Sequence, residues 1–138
     1  MVLNFDHLER SIQTLDQSLQ YLHTSEVGSV PYEVFRNAVI KGFELCLETS
    51  GSLLRKSLQE FVADPRKIAT LNYKDVLRTA AQHGLLTLDE VERWFGYRDH
   101  RNQTAHDYGE QLAEQVLAVI QQFHQDARTL LLRLKALP

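Results

Sequence analysis

The sequence predicts an all-α fold: an up-and-down antiparallel helical bundle of four long helices plus one short helix. Three observations carry this. Apolar residues recur at three- and four-residue steps through most of the 138-residue chain, no stretch alternates with period two for long enough to form a strand, and the breaks between periodic runs are short.

The first helix follows from Phe5, Leu8, Ile12, Leu15, Leu19 and Leu22, a narrow apolar seam. Asp6, Glu9, Arg10, Gln13, Asp16, Gln17 and Gln20 form the solvated side, and His23 to Ser29 reads as a loop. Pro31 suits the first turn of a second helix, where its missing N–H costs nothing. Phe35, Val39, Phe43, Cys46, Leu53, Leu54, Leu58 and Phe61 extend that helix to about Ala63, and Asp64-Pro65 ends it. Gly42 and Gly51 weaken it locally and suit the close approach of a neighbour. A shorter helix starts at Asn72, buries Val76, Leu77 and Ala80, and stops at Gly84. Thr87 and Glu90 make a capping box for the next, in which Leu88, Val91, Trp94 and Phe95 face inward toward a turn at Asp107-Tyr108-Gly109. Leu112, Val116, Val119, Ile120, Phe123, Ala127, Leu130, Leu131 and Leu134 define the last helix.

The length fits a single domain over residues 1–138, large enough to bury a core unaided. A hydrophobic fraction of 43%, a charged fraction of 24% and a net charge of −3 describe an ordinary globular chain and exclude a strongly basic nucleic-acid coat protein. The single cysteine, Cys46, excludes an internal disulfide and sits in an apolar run, as a buried thiol would. No run approaches a membrane span, and the first residues lack the blocks of a signal peptide, so a cytoplasmic protein with no membrane association is expected. No His, Cys, Asp or Glu cluster has metal-ligand spacing, and no Gly-rich loop is built to cradle phosphates, so neither a metal nor another cofactor is expected.

Chemistry concentrates at Arg101-x4-His106-x-Tyr108. With 10 Arg, 6 His and 5 Tyr in the chain, shuffling gives about 0.4 Arg-x4-His pairs but only about 0.016 with the tyrosine added. Arg78-x4-His83 shows how little the pair alone means, for it has no tyrosine after it. Arg93, Arg98, His100, Arg101 and His106 also crowd into one stretch of an acidic chain, diluted by Asp99 and Asp107. Such a set suits RNA: arginine grips phosphate, histidine moves a proton near neutral pH, and RNA supplies its own 2′-hydroxyl nucleophile. One geometric fact opposes a site on a single straight helix. Positions 101 and 106 lie about 140° apart, so either the Tyr108-Gly109 turn unwinds the helix end or a second chain in a symmetric homodimer supplies the converging partner.

Arg101-Asn102-x3-His106-x-Tyr108 resembles the Arg-x4-His-x-Tyr motif of the HEPN proteins, and most closely the group known as nucleotidyltransferase substrate-binding proteins. Lys41 to Glu48 resembles the phenylalanine-glutamate helix of that group. Leu77 to Leu86 is similar to its short helix, and Trp94 to Asp99 to the lead-in to its motif. The resemblance implies a dimerising helical bundle that acts as the toxin of a toxin–antitoxin pair, a metal-independent endoribonuclease cutting an RNA substrate. Its partner would be a minimal nucleotidyltransferase antitoxin, which uses ATP and magnesium to adenylylate the motif tyrosine. Carried onto this chain, Arg101 stabilises the scissile phosphate, His106 is the general acid or base, Asn102 orders the site and Tyr108 accepts AMP. Glu44 and Glu48, one helical turn apart, are possible supporting residues of the cleft or plain structural contacts. Gly96 departs from a helix former just before the motif. A non-catalytic subunit that presents substrate to a nucleotidyltransferase, and a helical scaffold with a chance motif, compete with the toxin reading.

Overall fold

The computed structural model describes the backbone of residues 3–60, 62–106 and 110–137, and the side chains of these except 103–106 and 110–112. Among the described residues there are six helices and no strand: α1 (Asp6–His23), α2 (Val30–Gln59), α3 (Pro65–Thr70), α4 (Tyr73–Gln82), α5 (Leu88–His106) and α6 (Glu110–Lys135). The four long helices and the short α4 are those the periodicity predicts. The sixth, α3, grows from the dipeptide read only as a terminator: Asp64 caps the Arg66 N–H at 3.2 Å, and Pro65 occupies the first turn. Arg55 on α2 then donates to the Ile68 and Leu71 carbonyls at 2.7 and 2.8 Å, satisfying the C-terminal end of α3. Phe61, expected in the core of α2, lies outside the described residues, and α2 ends at Gln59.

The long helices alternate in direction. α1 returns on α2, with Leu15 against Gly42 and Tyr21 stacked on Phe35 at 5.1 Å. A side chain at Gly42 would come within 3.3 Å of Leu15, which is why the sequence tolerates glycine inside a long helix there. α6 runs antiparallel to both outer helices: His124 lies opposite Asp16 of α1, and Asp126 opposite Tyr97 of α5. α2 and α6 thus form the centre, with α1 on one side and α5 and α4 on the other.

Five residues of the α1 seam, Leu8, Ile12, Leu15, Leu19 and Leu22, are buried as expected, whereas Phe5 precedes the helix as its N-cap and is partly buried. At the middle of the bundle Phe123 is met edge-on by Phe43 at 4.8 Å, Tyr97 at 5.0 Å and Trp94 at 5.7 Å. Such edge-to-face pairs add to the burial of large apolar area. One inward expectation is corrected. Leu88 is 77% exposed, because it opens α5 about 120° around the helix from Trp94. Among the described residues, no helix is long and apolar enough to cross a membrane.

Candidate active site

The helix that carries the motif is fixed at its start and again near its middle. At its start the capping box is present in full: Glu90 N–H donates to Thr87 Oγ1 at 3.2 Å, and Thr87 N–H to Glu90 Oε1 at 3.0 Å. Arg133 of α6 adds a 2.6 Å bond to the same Glu90 oxygen. Burial alone would raise the Glu90 carboxyl, but the donors from Arg133 and Thr87 outweigh it and hold it below its ordinary range.

Two turns further, Tyr97 donates its phenol to Asp126 Oδ2 at 2.6 Å, and Arg93 clamps both Asp126 oxygens at 2.8 and 2.9 Å. Desolvation works against the Asp126 charge, yet the bonds from Arg93 and Tyr97 keep its carboxyl below the usual range, while burial first and then the neighbouring carboxylate push the Tyr97 phenol up. Asp126 is 3% exposed, so α5 is pinned to α6 by a bidentate ion pair from the partly exposed Arg93 and a short, buried hydrogen bond from Tyr97.

Arg101 follows Tyr97 by one turn and is half-buried, and Asn102 beside it is exposed. α5 remains helical through His106. The two motif positions therefore keep their separation of about 140°. The His106 side chain and the whole of Tyr108 lie outside the described residues.

Because α5 runs against α2, the Arg101 end of α5 points toward the N-terminal half of α2. There Arg36, Asn37, Ile40, Lys41 and Glu44 line a cavity of about 400 Å³. Glu44 is largely buried, with its side chain 14% exposed and Lys41 at 3.9 Å. Glu48 lines a different groove, of about 390 Å³, with Asn4, His7, Thr49 and Lys56 on the α1 side. Cys46 is buried, and desolvation pushes its thiol up to about 12, so it is no nucleophile near neutral pH. Among the described residues no group of His, Cys, Asp and Glu is arranged to hold a metal ion.

Two polar features escape the sequence reading. The first is the Arg93–Asp126–Tyr97 set, whose one available signal was an acid, Asp126, inside the apolar stripe between Phe123 and Leu130. The second is a set of cations held on aromatic rings, with Lys74 and Arg78 of α4 at 5.3 and 5.4 Å from the ring centre of Phe95, and Arg98 at 5.0 Å from that of Tyr73.

Comparisons with known proteins place this architecture. The "Probable ribonuclease HepT" of Haemophilus influenzae is 28% identical, over 96% of this chain and 92% of that protein. A Haemophilus influenzae structure described as the fold of a substrate binding domain of a nucleotidyltransferase superposes with a TM-score of 0.84 at 27% identity, covering 96% of this chain and 99% of that one. A tri-AMPylated Shewanella oneidensis HEPN toxin, solved in complex with its MNT antitoxin, shares the fold with a TM-score of 0.66 at 18% identity, over 96% and 98% of the two chains. The family model described as "Nucleotidyltransferase substrate binding protein like" matches residues 3–136, and the chain belongs to that family, the group its motif and flanking helices resemble.

Proposed function

We propose that this chain is the RNA-cleaving toxin of a toxin–antitoxin pair, a metal-independent endoribonuclease restrained by a minimal nucleotidyltransferase that adenylylates Tyr108. The observation that carries the reading is a helix pinned to the core at Thr87–Glu90 and Tyr97–Asp126 that continues unbroken through Arg101 and His106. Catalysis by positioned charge needs such rigidity, since small misplacements cost large factors in rate. The name of the Haemophilus relative and the partnership of the Shewanella toxin support the same reading.

In this mechanism the RNA 2′-hydroxyl loses its proton to His106 acting as base and attacks the adjacent phosphorus. The P–O5′ bond breaks, and the departing oxygen takes up a proton. Arg101 stabilises the crowded phosphate and Asn102 orders the site. With positions 101 and 106 on different sides of one helix, two copies related by a two-fold axis bring the complete set to a shared cleft. In the restraining reaction the Tyr108 oxygen attacks the α-phosphorus of ATP, pyrophosphate leaves, and the phenolic proton passes to a base.

Expression of the chain alone should arrest growth, and Arg101→Ala or His106→Ala should relieve the arrest. The purified protein should cut RNA in EDTA. Co-expression with the partner nucleotidyltransferase should raise the intact mass by whole AMP units, and Tyr108→Phe should abolish the gain. Harmless wild type, with RNA left intact, would favour the second reading, a non-catalytic substrate-binding subunit, which the family description itself supports.

A further inference from the structure

The aromatic-held cations are not used by the mechanism above. Lys74 and Arg98 make no ion pair among the described residues; each sits on a ring, on Phe95 and Tyr73 respectively. Arg78 shares the Phe95 ring and is also bonded to Asp75 at 2.8 Å. Rings hold these side chains in place without neutralising them, as carboxylates would. On α5, positions 95, 102 and 106 fall within about 40° of one another, with Arg98 on the flank toward α4. The distance from 95 to 106 along the helix is about 16 Å, the length of roughly five stacked nucleotides. Lys74, Arg78, Phe95 and Arg98 therefore continue, away from the motif, the side of α5 that bears Asn102 and His106. Asp99 marks the outer edge of this face and Asp75 reduces its charge, so the tract is narrow.

We propose that this α4–α5 face is a single-stranded RNA tract, with Lys74 and Arg98 as phosphate contacts that lead the strand to the motif. This rests on the ribonuclease reading and names where its substrate lies. An acidic protein surface would meet the same charges. Continuity with the Asn102 and His106 positions favours RNA, because a strand entering the site must cross adjacent surface.

The test is fluorescence anisotropy with a labelled 12-nucleotide single-stranded RNA, in a His106→Ala background that separates binding from cutting. Lys74→Gln/Arg98→Gln should weaken binding about tenfold and flatten the log–log salt slope by about 1.4, the value for two lost phosphate contacts. Phe95→Leu keeps an apolar group against the core but removes the ring that orders Lys74, and should give a smaller loss. Arg10→Gln, on exposed α1 across the bundle, should leave affinity and slope unchanged, and circular dichroism should show every variant folded. If the double variant binds with the affinity and slope of its parent, the tract is overturned while the ribonuclease reading stands. If it keeps RNA but loses the nucleotidyltransferase, the face is a protein-docking surface and the tract is again overturned. If the unmutated chain neither binds nor cuts RNA, both readings fall.

Discussion

Tyr97 of α5 and Asp126 of α6 lie 2.6 Å apart, oxygen to oxygen, inside the core, and the carboxylate between Tyr97 and Arg93 is the tie nearest the motif that joins its helix to the bundle. Everything proposed for Arg101 depends on this tie, since Arg101 follows Tyr97 by a single turn.

Asp126→Ala should lower stability by about 2–3 kcal/mol, because it leaves the Tyr97 phenol buried without an acceptor. Arg93 adds little to that loss, because it is 39% exposed and water can solvate it. Chemical denaturation with an unchanged m-value measures it, and a loss under 0.5 kcal/mol would show that the network is dispensable. The sign with pH follows from the direction of the shift. A carboxyl held below its ordinary range contributes stability above that range, and the contribution is lost as pH falls through the lowered value. Acid unfolding of Asp126→Asn should therefore be shallower than that of the wild type.

Two glycines should respond in opposite ways to alanine. Nothing lies within 4 Å of a methyl at Gly96, so Gly96→Ala should stabilise α5 by about 1 kcal/mol through helix propensity alone. At Gly51 the added methyl would come within 3.1 Å of the Tyr73 ring, so Gly51→Ala should gain nothing or lose stability. Thermal melts of the two variants settle it. A rise in both would mean that Tyr73 moves aside at no cost, and Arg98 with it.

Much of the fold was legible in the sequence because long helices repeat their signal. The α1 seam and the Thr87–Glu90 box are local patterns, and all of the box and five of the six seam residues stand in the structure. α3 shows no period because six residues hold too few turns, and Asp64-Pro65 reads as an end although it also starts a helix. Leu88 falls outside the core because steps of three drift around a helix by about 60° each. The motif was legible as a rare spacing of residue types. The network that positions it was not, since Arg93 and Asp126 meet only once the chain has folded back on itself.

Glu90 combines two roles that separate by substitution. Glu90→Gln keeps an acceptor for the Thr87 N–H and should cost about 1 kcal/mol, mainly through a weaker bond from Arg133. Glu90→Ala removes both partners from a buried position and should cost about 2–3 kcal/mol. Equal losses would mean that charge alone matters, and urea titration of the two variants distinguishes the cases.

His124 should make stability fall on acidification. Its Nε2 is buried without a hydrogen-bond partner among the described residues, and Asp16 at 3.7 Å is too far to accept one. Desolvation therefore dominates and lowers its pKa from 6.5, with Asp16 opposing and Arg128 assisting. Glu9 and Lys135, ion-paired to each other, line the same cavity of about 370 Å³. A histidine with a depressed folded pKa contributes stability while neutral, and the contribution is lost as pH falls below about 6.5 and through the lowered value. His124→Gln cannot titrate, so its melting temperature should fall less between pH 7 and pH 5 than that of the wild type. Asp16→Asn removes the opposing charge and should depress the His124 titration further, as read by NMR. A folded His124 titrating at or above 6.5 would show that the Asp16 charge outweighs burial, and the pH dependence of stability would then reverse in sign.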